Sequence, residues 1–250
     1  MAIEIYKSTE QAKGSFNAGE IKENKPVGFP QDGGDLRPYS NIFYWAHAWA
    51  EADSEIGLHP HRGFEIMSIL LEGEMEHFDN KMNEWIPLKA GDVQIIRSGS
   101  GISHSELMKK GSHMFQIWFD PGLQNTLKKD PEYSDYKYGA FEIYEKDNYK
   151  VRVIKDNKGP IQMDSEGVEI REYIFKNGEH VFELGGSTVY SLYCYNGSLS
   201  LNGRSMENHD FARIDGEESL RIEAEENSKV YIIESPAKLA YKTYYELSGL

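Results

Sequence analysis

Cysteine is almost missing: Cys194 is the only one in 250 residues, so no disulfide can close within the chain. It lies in the apolar stretch Tyr190-Ser191-Leu192-Tyr193-Cys194-Tyr195, where a thiol reads as buried and inert. Basic residues are outnumbered, with Lys plus Arg at 27 against Asp plus Glu at 41 and a net charge of −14. That excess repels nucleic-acid phosphates and anionic membranes, and no basic stripe relieves it. Direct nucleic-acid binding is therefore not expected, whereas a protein partner is left open. Long hydrophobic runs are also lacking, since none approaches the roughly 18 residues of a membrane span. The opening Met1-Ala2-Ile3-Glu4-Ile5-Tyr6-Lys7 has no basic segment followed by an apolar one. A reducing, cytoplasmic setting is the expectation. Helical periodicity is scarce as well.

Strand signals fill the space left by helices. Ile66–Leu71 reads as a buried strand stopped near Gly73, Asp92–Ile96 alternates after the Ala90-Gly91 turn, and His113–Phe119 ends at Asp120-Pro121-Gly122. Strands so short and close predict an all-β sandwich or barrel rather than βαβ units. Pro121, Gly122, Pro131 and the Lys128-Lys129-Asp130 patch mark a linker over 120–138, after which strand signals resume at Tyr149–Ile154. This predicts an N-terminal domain over 1–125 and a C-terminal one over 126–250. An internal echo supports two similar halves. Ser68–Glu76 followed by Ala90–Ile96 is matched by Ser191–Ser200 followed by Asn208–Ile214, with a shorter hairpin between. At the far end, Ser235 followed by Pro236 predicts a short helix over 235–245.

Two histidine motifs carry the chemistry. His59-Pro60-His61 and His104-Ser105-Glu106 each place metal-type side chains two apart, so in a strand both members of a pair face the same way. Two neighbouring strands would then aim three imidazoles and one carboxylate at one point. Nitrogen and oxygen donors without sulfur favour a first-row divalent metal (iron, manganese, cobalt, nickel, copper or zinc) over magnesium or calcium; one ion is expected, and iron is the expectation among these. Four protein ligands leave a six-coordinate ion two free positions. His47, His77 and His113 read as pocket-lining or core residues, and Phe43, Trp45 and Phe115 as either core or the walls of a site for a flat ligand. The second half has no comparable set. His180 and His209 stand apart with no paired ligand, so no metal is expected there.

The glycines around these motifs extend the pattern. Gly57-Leu58-His59-Pro60-His61-Arg62-Gly63-Phe64-Glu65 leads to Glu72-Gly73, and Gly91-Asp92 leads to Gly99-Ser100-Gly101-Ile102-Ser103-His104-Ser105-Glu106. These resemble the two metal-binding motifs of the cupin superfamily. More closely, His59–Glu65, Leu71–Gly73, Gly91–Gln94 and Gly99–Glu106 resemble the pirin family, over roughly residues 40 to 120. The resemblance implies two cupin-type β-barrels (a jelly-roll bicupin) with one metal, held in the first by His59, His61, His104 and Glu106. Cupins in general take their glutamate from the first motif, where Glu65 stands. Counting back from Gly73, that place falls on Ile66, which turns Glu65 to the other face unless a bulge at Gly63 corrects it. Glu106 is therefore the expected ligand, and Glu65 an outer acceptor or the partner of Arg62. The resemblance further implies quercetin 2,3-dioxygenase activity, with a flavonol and dioxygen as substrates. Glu106 would remove the 3-hydroxyl proton while partly dissociated from the metal. The alternative it implies is a metal-bearing, non-enzymatic partner of transcription factors or metabolic enzymes.

Overall fold

Apolar runs and alternating runs go to different sheets. Ser219–Ala224 exposes and buries residues in strict turn, whereas Glu65–Glu72 is buried from its first residue through Leu71. Alternation suits a sheet with one wetted face, while a continuous apolar run is stable only when both faces are covered. The computed structural model, which describes residues 2–249, accordingly contains two seven-stranded and two four-stranded sheets. Among the described residues, no helix is long and apolar enough to cross a membrane.

The sheets fall into two compact units. One comprises Gln11–Ala140, Gln162–Ser165 and the stretch from Ala240. Its larger sheet runs, in spatial order, Glu132–Tyr136, Val93–Arg97, Glu65–Glu72, His113–Phe119, Ile42–Ala50, Ile21–Val27 and Ala12–Phe16. Its smaller sheet runs Ser54–His61, Ile102–Met108, Glu74–Asp79 and Trp85–Lys89. One end of its interior is apolar, built from Ile21, Leu70, Met75, Leu88, Met108 and Met114. The other unit comprises the stretch to Glu10, Phe141–Ile161 and Glu166–Leu239. Its larger sheet runs Ala2–Tyr6, Phe211–Asp215, Thr188–Asn196, Ser228–Pro236, Glu169–Phe175, Tyr149–Lys155 and Glu142–Lys146. Gly178–Glu183, Ser219–Ala224, Leu199–Leu201 and Arg204–Met206 form its smaller sheet. The expected all-β architecture of two like units is the one observed.

A single cut at 125/126 does not separate these units. Ala2–Tyr6 pairs with Phe211–Asp215, and Glu132–Tyr136 pairs with Val93–Arg97, so each larger sheet takes its edge strand from beyond that boundary. The stretch read as a linker holds the short helix Leu123–Thr126 and the strand Glu132–Tyr136. The backbone hydrogen bonds offered by a sheet edge outweighed its Pro, Gly and Lys signals. The helix expected from Ser235 is also displaced. Ser228–Pro236 is a strand, in keeping with the extended backbone preferred before proline. A helix forms instead at Tyr244–Ser248, where Thr243 and Glu246 cap each other reciprocally.

The internal echo recurs bond by bond. Gly91 N–H donates to the Leu70 carbonyl at 2.7 Å and Leu70 N–H to that of Asp92 at 3.0 Å; His209 to Cys194 (2.6 Å) and Cys194 to Asp210 (3.0 Å) repeat this. Asp92 accepts from Lys89 N–H at 3.1 Å, as Asp210 does from Glu207 N–H at 3.0 Å. Gly73 and Gly197 have φ of 74° and 90°, and a Cβ on either would lie 2.8 Å from the Cα of Ser112 or Ser228 respectively. Both the left-handed backbone and the crowding require glycine. Gly73→Ala and Gly197→Ala should therefore each cost roughly 2 kcal/mol or more, and by similar amounts, in urea unfolding. An unchanged midpoint at either position would show that the serine strand yields.

Candidate metal centre

A bulge turns His59 inward. Where Ser54–His61 pairs with Ile102–Met108, Glu106 lies opposite Ile56 and His104 opposite His59, so Gly57 and Leu58 together face the single Ser105. Ile56 packs on the interior apolar cluster. Strict alternation from Ile56 would send Leu58 inward and His59 outward. The extra residue reverses this, and Leu58 is left 59% exposed. The irregularity thus sits at Gly57–Leu58, not at Gly63.

The three histidines then converge. Among the described residues, His59, His61 and His104 form a metal-type group, each offering a ring nitrogen within 4.8 Å of the others. Their ring centres are 4.3 Å (His59–His104), 4.7 Å (His61–His104) and 4.8 Å (His59–His61) apart. Nε2 of His61 and both nitrogens of His104 are buried without a hydrogen-bond partner. Burial, aided by the neighbouring imidazole of His59, pushes His61 down to about 3. Burial and the charges of His61, His59 and His77 hold His104 far below its ordinary range. Both rings are neutral at pH 7, the state a metal requires. His59 Nδ1 lies 2.8 Å from the Gly57 carbonyl; as donor there it leaves Nε2 free. Bare, neutral, buried nitrogens fit a divalent metal and fit little else, because such groups are costly unless paired.

Glu106 stands outside that group. Its carboxylate crosses the interior to the larger sheet, accepting from Gln116 Nε2 at 2.9 and 3.2 Å, Gln94 Nε2 at 3.3 Å and Ser68 Oγ at 3.3 Å. Burial, opposed by these donors, pushes Glu106 up to about 7. Desolvation therefore wins, and ionisation there costs about 3 kcal/mol more than in water. Trp118 Nε1 donates to Gln116 at 3.3 Å and stands edge-on to His61, with ring centres 4.6 Å apart. Tyr133 Oη donates to Gln94 at 3.4 Å and stacks on His77 at 4.2 Å. Gln94, Gln116, Trp118 and Tyr133 were not singled out in the sequence. The signal for the two glutamines was a polar residue at an inward position of an otherwise apolar strand.

Other candidates lie elsewhere. Glu65 does not pair with Arg62; its buried carboxylate accepts from Asp164 N–H (2.6 Å), Ser165 N–H (2.9 Å) and Ser165 Oγ (2.6 Å). Trp45 and Phe115 pack edge to face at 5.5 Å, on the opposite side of their strands from Ala46 and Gln116, and so do not wall the site. His47 meets His113 at 3.0 Å on that same side. Phe43 stacks on Phe64 at 4.6 Å, beside Trp118. A hollow of about 590 Å³ also opens beside Gly63–Glu65, Arg97 and Lys129. Its cations are already matched, Arg97 to Glu132 and Lys129 to Asp164, and it holds none of the three histidines.

The other unit carries apolar residues at the corresponding positions. The register that links Ser68 to Gln94 and Gln116 links Leu192 to Ala212 and Ile232, and Ile222 lies opposite Leu201 as Glu106 does opposite His77. Leu220 lies opposite Phe182, in a pairing without a bulge. His180 instead contacts the Lys176 carbonyl at 3.1 Å, and His209 occupies a turn at φ 69°. Cys194 is fully buried, which pushes its thiol up to about 12.

The Pirin family model matches residues 38–119. The chain is 28% identical over 190 residues to the quercetin 2,3-dioxygenase of Escherichia coli (strain K12), a match covering 74% of this chain and 78% of that protein. Its fold is similar to bacterial pirin YhhW of Escherichia coli in complex with nickel(II), with TM-score 0.79 and 22% identity over 95% of this chain and 100% of that one. It is also similar to a quercetin 2,3-dioxygenase of Acinetobacter baumannii, with TM-score 0.78 and 18% identity over 93% and 78% of the two chains.

Replacing His59 and His61 together by Ala should abolish metal in elemental analysis, and full retention would exclude this centre. Proton release tests Glu106 separately. At pH 6 a carboxyl at about 7 is mostly protonated while His61, at about 3, is neutral. Metal binding that requires the carboxylate should then expel roughly 0.9 proton from Glu106 and none from His61. Calorimetry in two buffers of different ionisation enthalpy reads this release, and Glu106→Gln should lose it. The same release in the variant would place Glu106 beyond the metal's influence.

Proposed function

We propose, on the premise that residues 38–119 are a Pirin domain in a bicupin fold, that the protein is a metal-dependent dioxygenase of flavonols of the quercetin type. The observation that carries this reading is a cluster of three convergent imidazoles, two of them (His61 and His104) with buried, neutral, unpartnered ring nitrogens, beside a buried carboxylate of raised pKa. The names of the similar proteins support it. In this reading His59, His61, His104 and Glu106 hold one divalent ion, iron(II), which supplies Lewis acidity toward the substrate's oxygens. Glu106 is also the base. Drawn back onto Gln94, Gln116 and Ser68, its carboxylate is free of the histidines, and a pKa near 7 suits removal of the 3-hydroxyl proton at neutral pH. Gln116 and Gln94 hold both the incoming proton's acceptor and its position. Trp118, edge-on to His61 and flanked by Phe64 and Phe43, gives a flat aromatic substrate an apolar wall.

Oxygen uptake with quercetin, on protein of measured iron content, tests the reading. Glu106→Gln should lower kcat per bound metal by roughly 10²- to 10⁴-fold. His104→Ala should lose turnover with an unchanged circular dichroism spectrum, because barrel stability rests mainly on apolar burial. Equal loss of flavonol absorbance with metal-free protein would overturn it.

A further inference from the structure

His77 and Asp79 form a buried pair beside the histidine cluster. Both side chains are fully buried. Asp79 Oδ1 accepts from the N–H groups of Lys81 (2.8 Å) and Met82 (2.7 Å), while Oδ2 lies 2.9 Å from His77 Nε2. The turn thus fixes the carboxylate as an acceptor, and His77 must donate through Nε2. Its Nδ1 is left as an acceptor, buried and without a partner. Tyr133, stacked at 4.2 Å with an interplanar angle of 11°, fixes the plane of the ring.

The register aims this pair at His104. Asp79 lies opposite His104 and His77 opposite Glu106, so His77 and His104 are diagonal neighbours on one face of the sheet, within reach of long side chains. Their ring centres are 5.6 Å apart. Elsewhere in this protein His47 and His113 are hydrogen bonded at 3.0 Å with ring centres 5.2 Å apart, so only a small closure separates the two cases. A metal-ligating histidine needs an acceptor for its other ring nitrogen. His59 has the Gly57 carbonyl, whereas neither nitrogen of His104 has a partner.

We infer that Asp79, His77 and His104 act as an orienting chain: Asp79 fixes the tautomer of His77, and His77 Nδ1 accepts the N–H of His104 and turns that ring's other nitrogen to the metal. His77 is a positioning residue, and the inference rests on His104 being a ligand.

Zinc(II) titrated against a chromophoric chelator, together with ¹⁵N-histidine NMR of the zinc-loaded protein, tests this. His77→Phe keeps the ring and its stack on Tyr133 but removes the acceptor, and should weaken zinc binding roughly 10- to 100-fold. His77→Gln, whose amide can donate to Asp79 and accept from His104, should recover most of the loss. In the parent spectrum His104 should show one hydrogen-bonded ring N–H that His77→Phe abolishes. Unchanged affinity in His77→Phe, equal losses in the Phe and Gln variants, or no such N–H in the parent would each overturn the inference. His104→Ala separates the two levels. If it leaves zinc affinity intact, the metal-centre reading itself fails; if it abolishes binding while His77→Phe is silent, only the orienting chain fails.

Discussion

One extra residue in one strand governs the site. Side chains of a strand alternate with period two, so a register error of one residue inverts every side chain beyond it. Ile56 must face inward to fill the apolar end of the barrel, and His59 must face inward to reach His104. Their spacing of three cannot satisfy both in a regular strand. The bulge at Gly57–Leu58, opposite Ser105, reconciles the two. It places Leu58 in solvent and brings His59 and His61 to one point with His104 of the neighbouring strand. The convergence of the three histidines follows from that local departure.

The two units show what the rest of the barrel must supply. In one, Ser68, Gln94, Gln116 and Glu106 form a polar bridge across the interior; in the other, Leu192, Ala212, Ile232 and Ile222 occupy the same register within the apolar core. Both solutions fold, because the turns at Gly73 and Gly197 and at Asp92 and Asp210 are built alike. They differ in what burial costs. An apolar core gains from each buried methylene, whereas a buried carboxylate loses several kcal/mol of hydration and regains only part of it from its donors. The polar bridge therefore has no rationale in stability alone. Its consequence is chemical: a carboxyl whose pKa lies near neutrality beside imidazoles that stay neutral.

Support for the site comes from several parts of the chain. Trp118 reaches Gln116 from the same strand, Tyr133 reaches Gln94 and His77 from an added edge strand, and Asp79 holds His77 from two residues along its own strand. Each contact fixes a rotamer of a residue that in turn faces the histidines or Glu106. Such outer contacts set tautomer and orientation, which is what distinguishes a usable ligand set from histidines that are merely near one another.

The sequence by itself determined the all-β class, the two like halves, and the histidines that converge. These are legible because period-two alternation, glycine at forced turns and i, i+2 ligand pairs are local properties. Gln94 and Gln116 stand in its strands as polar residues, but the face each would take was not readable there. Only the tertiary structure decided the rest. It placed Ala2–Tyr6 and Glu132–Tyr136 at the edges of sheets distant in sequence, gave Glu65 to the 164–165 loop, turned Trp45 and Phe115 away from the site, and set Glu106 on its amides. Each of these depends on which strand lies beside which, and pairing between residues far apart in the chain leaves no periodic trace in either partner.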